Sequence, residues 1–255
     1  MRILICDGPR SIGESAAHVL GGALRRRRRP TLGIATGSSP LEIYGAFARG
    51  IEIEDLDLSR LRAFALDEYV GIADDHPERY ANVVDREVTT KLGLDPANVS
   101  VPDGASSDPD TAAERYERQI EDAGGIDAQI LGVGTNGHIG FNEPGSPHDS
   151  RTRVVSLTAE TRAANARFFD DISHVPTHAV TQGVGTIMGA RTIVMVAQGE
   201  AKAEAVRHII DGEVSTRWPG SILQRHPDVT IVLDEAAGHL LEFAGQYRTD
   251  AGYPA

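Results

Sequence analysis

The sequence predicts an α/β protein with a mainly parallel sheet, and three observations lead there. Short apolar or β-branched runs alternate with longer amphipathic ones along the 255 residues, which is the pattern of βα units. Nearly every strand-like run is followed by a helix-like one. The composition, 40% hydrophobic and 24% charged, is that of a globular chain with enough length to bury a core without disulfides or structural metal. No repeat of fixed period and no Ser/Gly-rich linker divides it, so residues 1–255 are expected to form a single domain.

The elements follow in order. A strand at 2–6 is closed by Asp7-Gly8-Pro9, and a helix at 11–28 is stopped by Pro30. The run Arg25-Arg26-Arg27-Arg28-Arg29 is expected in that helix's last turn, where cations favour the negative end of the macrodipole. A strand at 31–36 leads through small residues into a helix at 40–49 with proline at its first turn. A strand at 61–66 precedes a helix at 77–92, and one at 98–101 precedes a helix at 110–122. After a strand at 128–133 comes a glycine-rich stretch and then a helix at 159–169. Strand 192–197 feeds a helix at 200–210, and strand 229–233 feeds one at 235–247.

Charge and cysteine content narrow the function. Lys plus Arg number 25 against 37 Asp plus Glu, a net charge of −12, which argues against a nucleic acid partner. The lone Cys6 cannot form an internal disulfide, which suggests a reducing compartment. The N-terminal apolar run is too short for a secretory leader, and no run approaches the roughly 18 apolar residues of a membrane span. A soluble, cytoplasmic protein is expected.

Four segments carry chemistry. In Thr36-Gly37-Ser38-Ser39-Pro40 a strand runs into a glycine, three hydroxyls and a helix start, an anion cradle in outline; it lacks the lysine of a nucleotide loop and also reads as a plain capped turn. Asp67-Glu68-Tyr69 follows directly on a strand, where ligands of α/β sheets bind. One carboxylate there is a candidate general base, or the pair caps the next turn. The stretch from Gly132 to Ser146 spends glycines at 132, 134, 137, 140 and 145 on one post-strand loop. It holds His138, of the one side-chain type whose unperturbed titration falls near neutrality, with Glu143 five residues on to orient it or share a proton. Finally Arg151, Arg153, Arg162 and Arg167 cluster in sequence, and Lys202, one of two lysines, falls near a helix start where a cation needs an anionic partner.

These segments, in this order, closely resemble the glucosamine-6-phosphate deaminase (isomerase) family across nearly the whole chain. The most specific match is Gly137-His138-Ile139-Gly140-Phe141-Asn142-Glu143-Pro144; Leu66-Asp67-Glu68-Tyr69-Val70-Gly71, Val175-Pro176-Thr177-His178 and Gly199-Glu200-Ala201-Lys202 support it. The resemblance implies a modified doubly wound (Rossmann-like) sheet with helices on both faces, no metal or organic cofactor, and conversion of glucosamine 6-phosphate and water to fructose 6-phosphate and ammonia in amino-sugar catabolism. It implies Asp67 as the base at C2, His138 as the group that opens the sugar ring with Glu143 in support, and Thr36, Gly37, Ser38, Ser39, Arg167 and Lys202 as the phosphate cradle. A homo-oligomer is compatible with it.

Two departures stand out. Asn136 replaces an aspartate found in many members, so the histidine would have one carboxylate partner instead of two; an asparagine can still hydrogen-bond the imidazole but cannot stabilise imidazolium by charge. The Arg-x-Lys pattern that binds an activating N-acetylglucosamine 6-phosphate lacks its lysine at Arg153-Val154-Val155, so activation is expected to be weak or absent. The rival readings are a 6-phosphogluconolactonase, which needs no C2 base, and a non-catalytic sugar-phosphate-binding module of a regulator, which is expected to carry a preceding DNA-binding helix pair.

Overall fold

The computed structural model describes residues 1–51, 53 and 56–247. In chain order it contains β1 (Arg2–Cys6), α1 (Pro9–Leu24), β2 (Thr31–Ile34), α2 (Leu41–Ala48), β3 (Arg62–Ala65), β4 (Asp67–Tyr69), α3 (Tyr80–Val84), α4 (Thr90–Leu92) and β5 (Val99–Ser100). There follow α5 (Pro109–Asp122), β6 (Ala128–Leu131), β7 (Arg153–Ser156), α6 (Ala159–Asn165), β8 (His178–Thr181), α7 (Val184–Met188), β9 (Thr192–Ala197), α8 (Ala203–Ile210), β10 (Val229–Asp234) and α9 (Glu235–Gly238). Seven strands form one sheet in the order β1-β10-β9-β6-β2-β3-β5, and every pairing in it is parallel. Helices flank it, so the fold is the mainly parallel, doubly wound arrangement expected. The central strands β2, β6 and β9 are buried throughout, as parallel strands covered on both faces must be.

The seven strand runs expected from sequence are the seven strands of this sheet. The expectation missed a second sheet, β4-β8-β7, paired antiparallel. Its strands are three or four residues long, and β4 begins with two carboxylates, a poor strand signature. It forms because β4 leaves the end of β3 and the excursion between β6 and β9 folds back onto it. This annex sits over the carboxyl end of the main sheet, with Tyr69, Ile72, Phe141, Leu157 and Ala179 as a small core of its own.

Other boundaries moved. Helix α1 ends at Leu24 and Arg25 is its cap, so the arginine run lies beyond the helix instead of in its last turn. The buried face of α1 runs through Ile12, Ala16, Leu20 and Leu24 and then stops; five like charges offer no apolar face to hold another turn. The helix expected at 77–92 starts at Tyr80 and carries a π-helical turn at Asp85–Thr89. The one expected at 235–247 is helical only to Gly238, with a 3-10 turn at Ala244–Gln246. Among the described residues no helix is long and apolar enough to cross a membrane.

Candidate active site

The loops after β2, β3, β6 and β9 all emerge at the carboxyl edge of the sheet, and they carry the segments singled out above. After β2 the chain passes Thr36 and Gly37, whose φ of 99° is open to glycine and strained for other residues, before Pro40 caps α2. Gly37 and Ser38 are exposed and Thr36 is half-buried. The Thr36 hydroxyl reaches Tyr80, whose own hydroxyl meets that of Tyr69 at 3.3 Å.

The adjacent carboxylates of β4 have opposite fates. Glu68 is fully buried and caps the start of α3: its Oε1 accepts from the backbone N–H of Tyr69 at 2.8 Å and Tyr80 at 2.9 Å, and its Oε2 from Ala81 at 2.8 Å. Asp67 is also buried, yet among the described residues its carboxyl makes no hydrogen bond or ion pair. Burial first, and the neighbouring Glu68 charge second, push it up to about 8.

The glycine-rich stretch folds into a tight loop closed by Gly137 N–H to Gly134 O at 3.0 Å and Gly134 N–H to His138 O at 2.9 Å. Its glycines make room: a Cβ on Gly134 would fall 2.2 Å from the His138 ring, and one on Gly137, at φ 80°, 2.6 Å from the Trp218 ring. His138 Nδ1 lies 3.5 Å from Glu143 Oε2. This is a charge contact, not an aligned hydrogen bond, since the buried Nδ1 has no hydrogen-bond partner. Glu143 is more firmly held. Asn136 Nδ2 donates to its Oε2 at 2.8 Å, and the hydroxyls of Thr158 (3.1 Å) and Thr161 donate to its Oε1. Burial alone would raise this carboxyl; the His138 ring, Thr161 and Asn136 outweigh it and hold it at about 2.

Asn136 therefore does not bond the imidazole. Its Oδ1 accepts from the His138 backbone N–H at 3.2 Å, which turns its amide toward Glu143. Of the clustered arginines, Arg151 pairs with Glu117 at 2.7 Å and Glu121 at 2.8 Å. Arg153 donates to Asn142 Oδ1 at 2.9 Å, and Arg162 holds the carbonyls of Ile172 and Val175. Arg167 differs: it lies over the Phe168 ring, 4.6 Å from its centroid, and pairs with no carboxylate among the described residues. It sits close enough to Lys202 for its charge, after burial, to lower the lysine's pKa. Among the described residues Lys202 has no anionic partner either, so two cations lie near one another without a carboxylate, as an anion site requires.

Several contributors escaped the sequence reading. Asp234, at the end of β10, takes the Gly199 N–H on both carboxyl oxygens (3.0 and 2.9 Å) and so fixes the turn bearing Lys202. Residues 215–221 brace the histidine loop: Gly220 N–H donates to Gly137 O at 2.9 Å and Gly145 N–H to Thr216 O at 2.8 Å. The sole tryptophan, followed by Pro219-Gly220, was the one available signal. A cavity of about 460 Å³ opens between residues 70–76 and 170–177, lined by neither Asp67, His138, Glu143, Arg167 nor Lys202. Among the described residues no group of three or more His, Cys, Asp or Glu side chains could hold a metal.

A doubly wound sheet carries a buried carboxyl, a His–Glu pair and two unpaired cations at its carboxyl edge, an arrangement with the chemical means to bind an anionic small molecule and move its protons. The model of the glucosamine-6-phosphate isomerase/6-phosphogluconolactonase family matches residues 9–232, and the chain belongs to that family. It is 51% identical over 248 residues to the glucosamine-6-phosphate deaminase of Pseudarthrobacter chlorophenolicus, covering 97% of this chain and 95% of that one. The structure superposes on a monomeric glucosamine-6-phosphate deaminase with a TM-score of 0.90 at 36% identity, over 94% of this chain and 100% of that one. A 6-phosphogluconolactonase from Trypanosoma cruzi shares the fold at a TM-score of 0.73 and 20% identity, over 94% and 97% of the two chains.

Proposed function

We propose that this chain is a glucosamine-6-phosphate deaminase, converting glucosamine 6-phosphate and water to fructose 6-phosphate and ammonia. Arg167 and Lys202, with the Thr36–Ser39 loop and the start of α2, bind the phosphate, and that remote binding energy orients the sugar's other end. His138 carries the proton from O1 to O5 that opens the ring, and Glu143 offsets the charge the imidazole gains. Asp67 then removes the C2 proton to give an enolamine and returns it to C1, leaving a C2 imine that water hydrolyses to the ketone with release of ammonia. A carboxyl near 8 suits proton transfer around neutrality, and the substrate's ammonium group, set beside it, favours the carboxylate that acts as base. No step calls for a metal or organic cofactor, and a reducing cytoplasm suits such a substrate.

The observation that carries this reading over lactone hydrolysis is Asp67, a buried carboxyl without a partner among the described residues, because hydrolysis of a lactone removes no proton from C2. Purified protein given glucosamine 6-phosphate should release ammonia and fructose 6-phosphate in equal amounts. No ammonia, together with hydrolysis of 6-phosphogluconolactone, would overturn the assignment.

A further inference from the structure

Helix α6 touches the site at both ends. At its start Thr158 is the N-cap, and its Oγ1 accepts from the Thr161 N–H at 3.1 Å. The same hydroxyl donates to Glu143 Oε1 at 3.1 Å. Thr161, one turn in and buried, sends its own hydroxyl proton to that oxygen. A hydroxyl has a single proton, so the 3.1 Å contact between the two threonine oxygens adds no further bond once both donate to Glu143. A threonine inside a helix ordinarily bonds back to a carbonyl of the preceding turn; this one is turned to the carboxylate. At the other end Asn165 Nδ2 donates to the Tyr69 hydroxyl at 2.9 Å, and Arg167 follows two residues later.

We propose, resting on the deaminase reading, that Thr161 is a positioning residue that acts through Glu143. Its hydroxyl fixes Oε1, so that Oε2 is the oxygen presented to His138 Nδ1, and helix α6 thereby ties the placement of Arg167 at the phosphate to that of the carboxylate beside the imidazole. Thr161 touches no substrate atom in this scheme. Its loss frees the carboxylate to rotate away from the ring as charge develops there, which is a cost to the chemical step and not to phosphate binding.

The test compares steady-state ammonia release by the whole protein and its variants. Thr161→Val, which keeps shape and removes the hydroxyl, should lower kcat about tenfold, the order of one hydrogen bond to a charged group, with KM within about twofold. Thr161→Ser should restore most of kcat. Thr161→Ala reads the same loss if the valine variant does not fold. In a Glu143→Ala background, which leaves the hydroxyl no acceptor at that position, Thr161→Val should change kcat by less than about twofold. Full kcat in both hydroxyl-free variants overturns the proposal, as does a loss that multiplies undiminished onto Glu143→Ala or one that appears in KM. A wild-type protein that releases no ammonia overturns the functional reading itself, before any variant is compared.

Discussion

Two buried aspartates stand at opposite edges of the seven-stranded sheet, and their surroundings are reversed. At the amino edge Asp127, just ahead of β6, has its oxygens engaged: Oδ1 meets Arg27 Nε and Arg191 Nη1, each at 3.0 Å, and Oδ2 accepts from the Thr31 N–H at 2.9 Å. At the carboxyl edge, among the described residues, Asp67 meets no partner, and neither Arg167 nor Lys202 pairs with a carboxylate. One edge is neutralised locally and ties strand ends together. The other holds a buried acid without a donor, near an exposed Arg167 and a half-buried Lys202 that no carboxylate neutralises among the described residues.

Replacing the two aspartates tests this contrast most directly. Asp67→Asn should reduce kcat by about a thousandfold, within the range for loss of a general base, while the fold persists. Its stability should change in the opposite sense. The native value near 8 lies above that of an unfolded aspartate, roughly 4, so the wild type loses stability as pH rises from about 4 through 8. The melting temperature of Asp67→Asn should therefore exceed that of wild type at pH 8 and converge with it near pH 4. A variant less stable at pH 8 would break the comparison.

A smaller effect is expected at the other edge. Asp127→Ala should cost about 2 kcal/mol, read from denaturant unfolding, mostly from the orphaned Thr31 N–H and from guanidiniums already half in water, with kcat unchanged. A loss of activity at full stability would mean that this edge is also functional.

The smallest expected change sharpens the site itself. Asn136→Asp would set a second carboxylate 2.8 Å from Glu143 Oε2, and two such groups cannot both stay ionised at ordinary cost. The acid limb of the kcat/KM profile should move to higher pH. An unmoved limb would show that residue 136 does not act on Glu143.

Much of this was legible in the amino-acid order, for local reasons. The strands of the main sheet are short apolar runs between turn residues, and the histidine loop betrayed itself by five glycines, two of which, Gly134 and Gly137, let the backbone pass close to a ring. The annex strands β4, β7 and β8 were not legible, since three or four residues carry too little periodicity and the β4–β8 pairing joins segments more than a hundred residues apart. Nor was the grip on Glu143: Thr158 and Thr161 lie fifteen and eighteen residues from it, and nothing local marks a threonine as a carboxylate ligand. Asp234 and Trp218 act on loops from distant strands and turns in the same way.

By itself the sequence determined the succession of βα units and which residue types could do chemistry, because periodicity, glycine and proline act over a few residues. Only the tertiary structure decided how those residues are charged and held. Asp67 and Glu68 are neighbours of nearly the same chemistry. Backbone N–H groups of Tyr80 and Ala81, brought round by α3, satisfy Glu68, while burial without a donor leaves Asp67 near neutrality. Both carboxyls are desolvated; what separates them is the hydrogen-bond donors that other parts of the chain supply to one and not to the other.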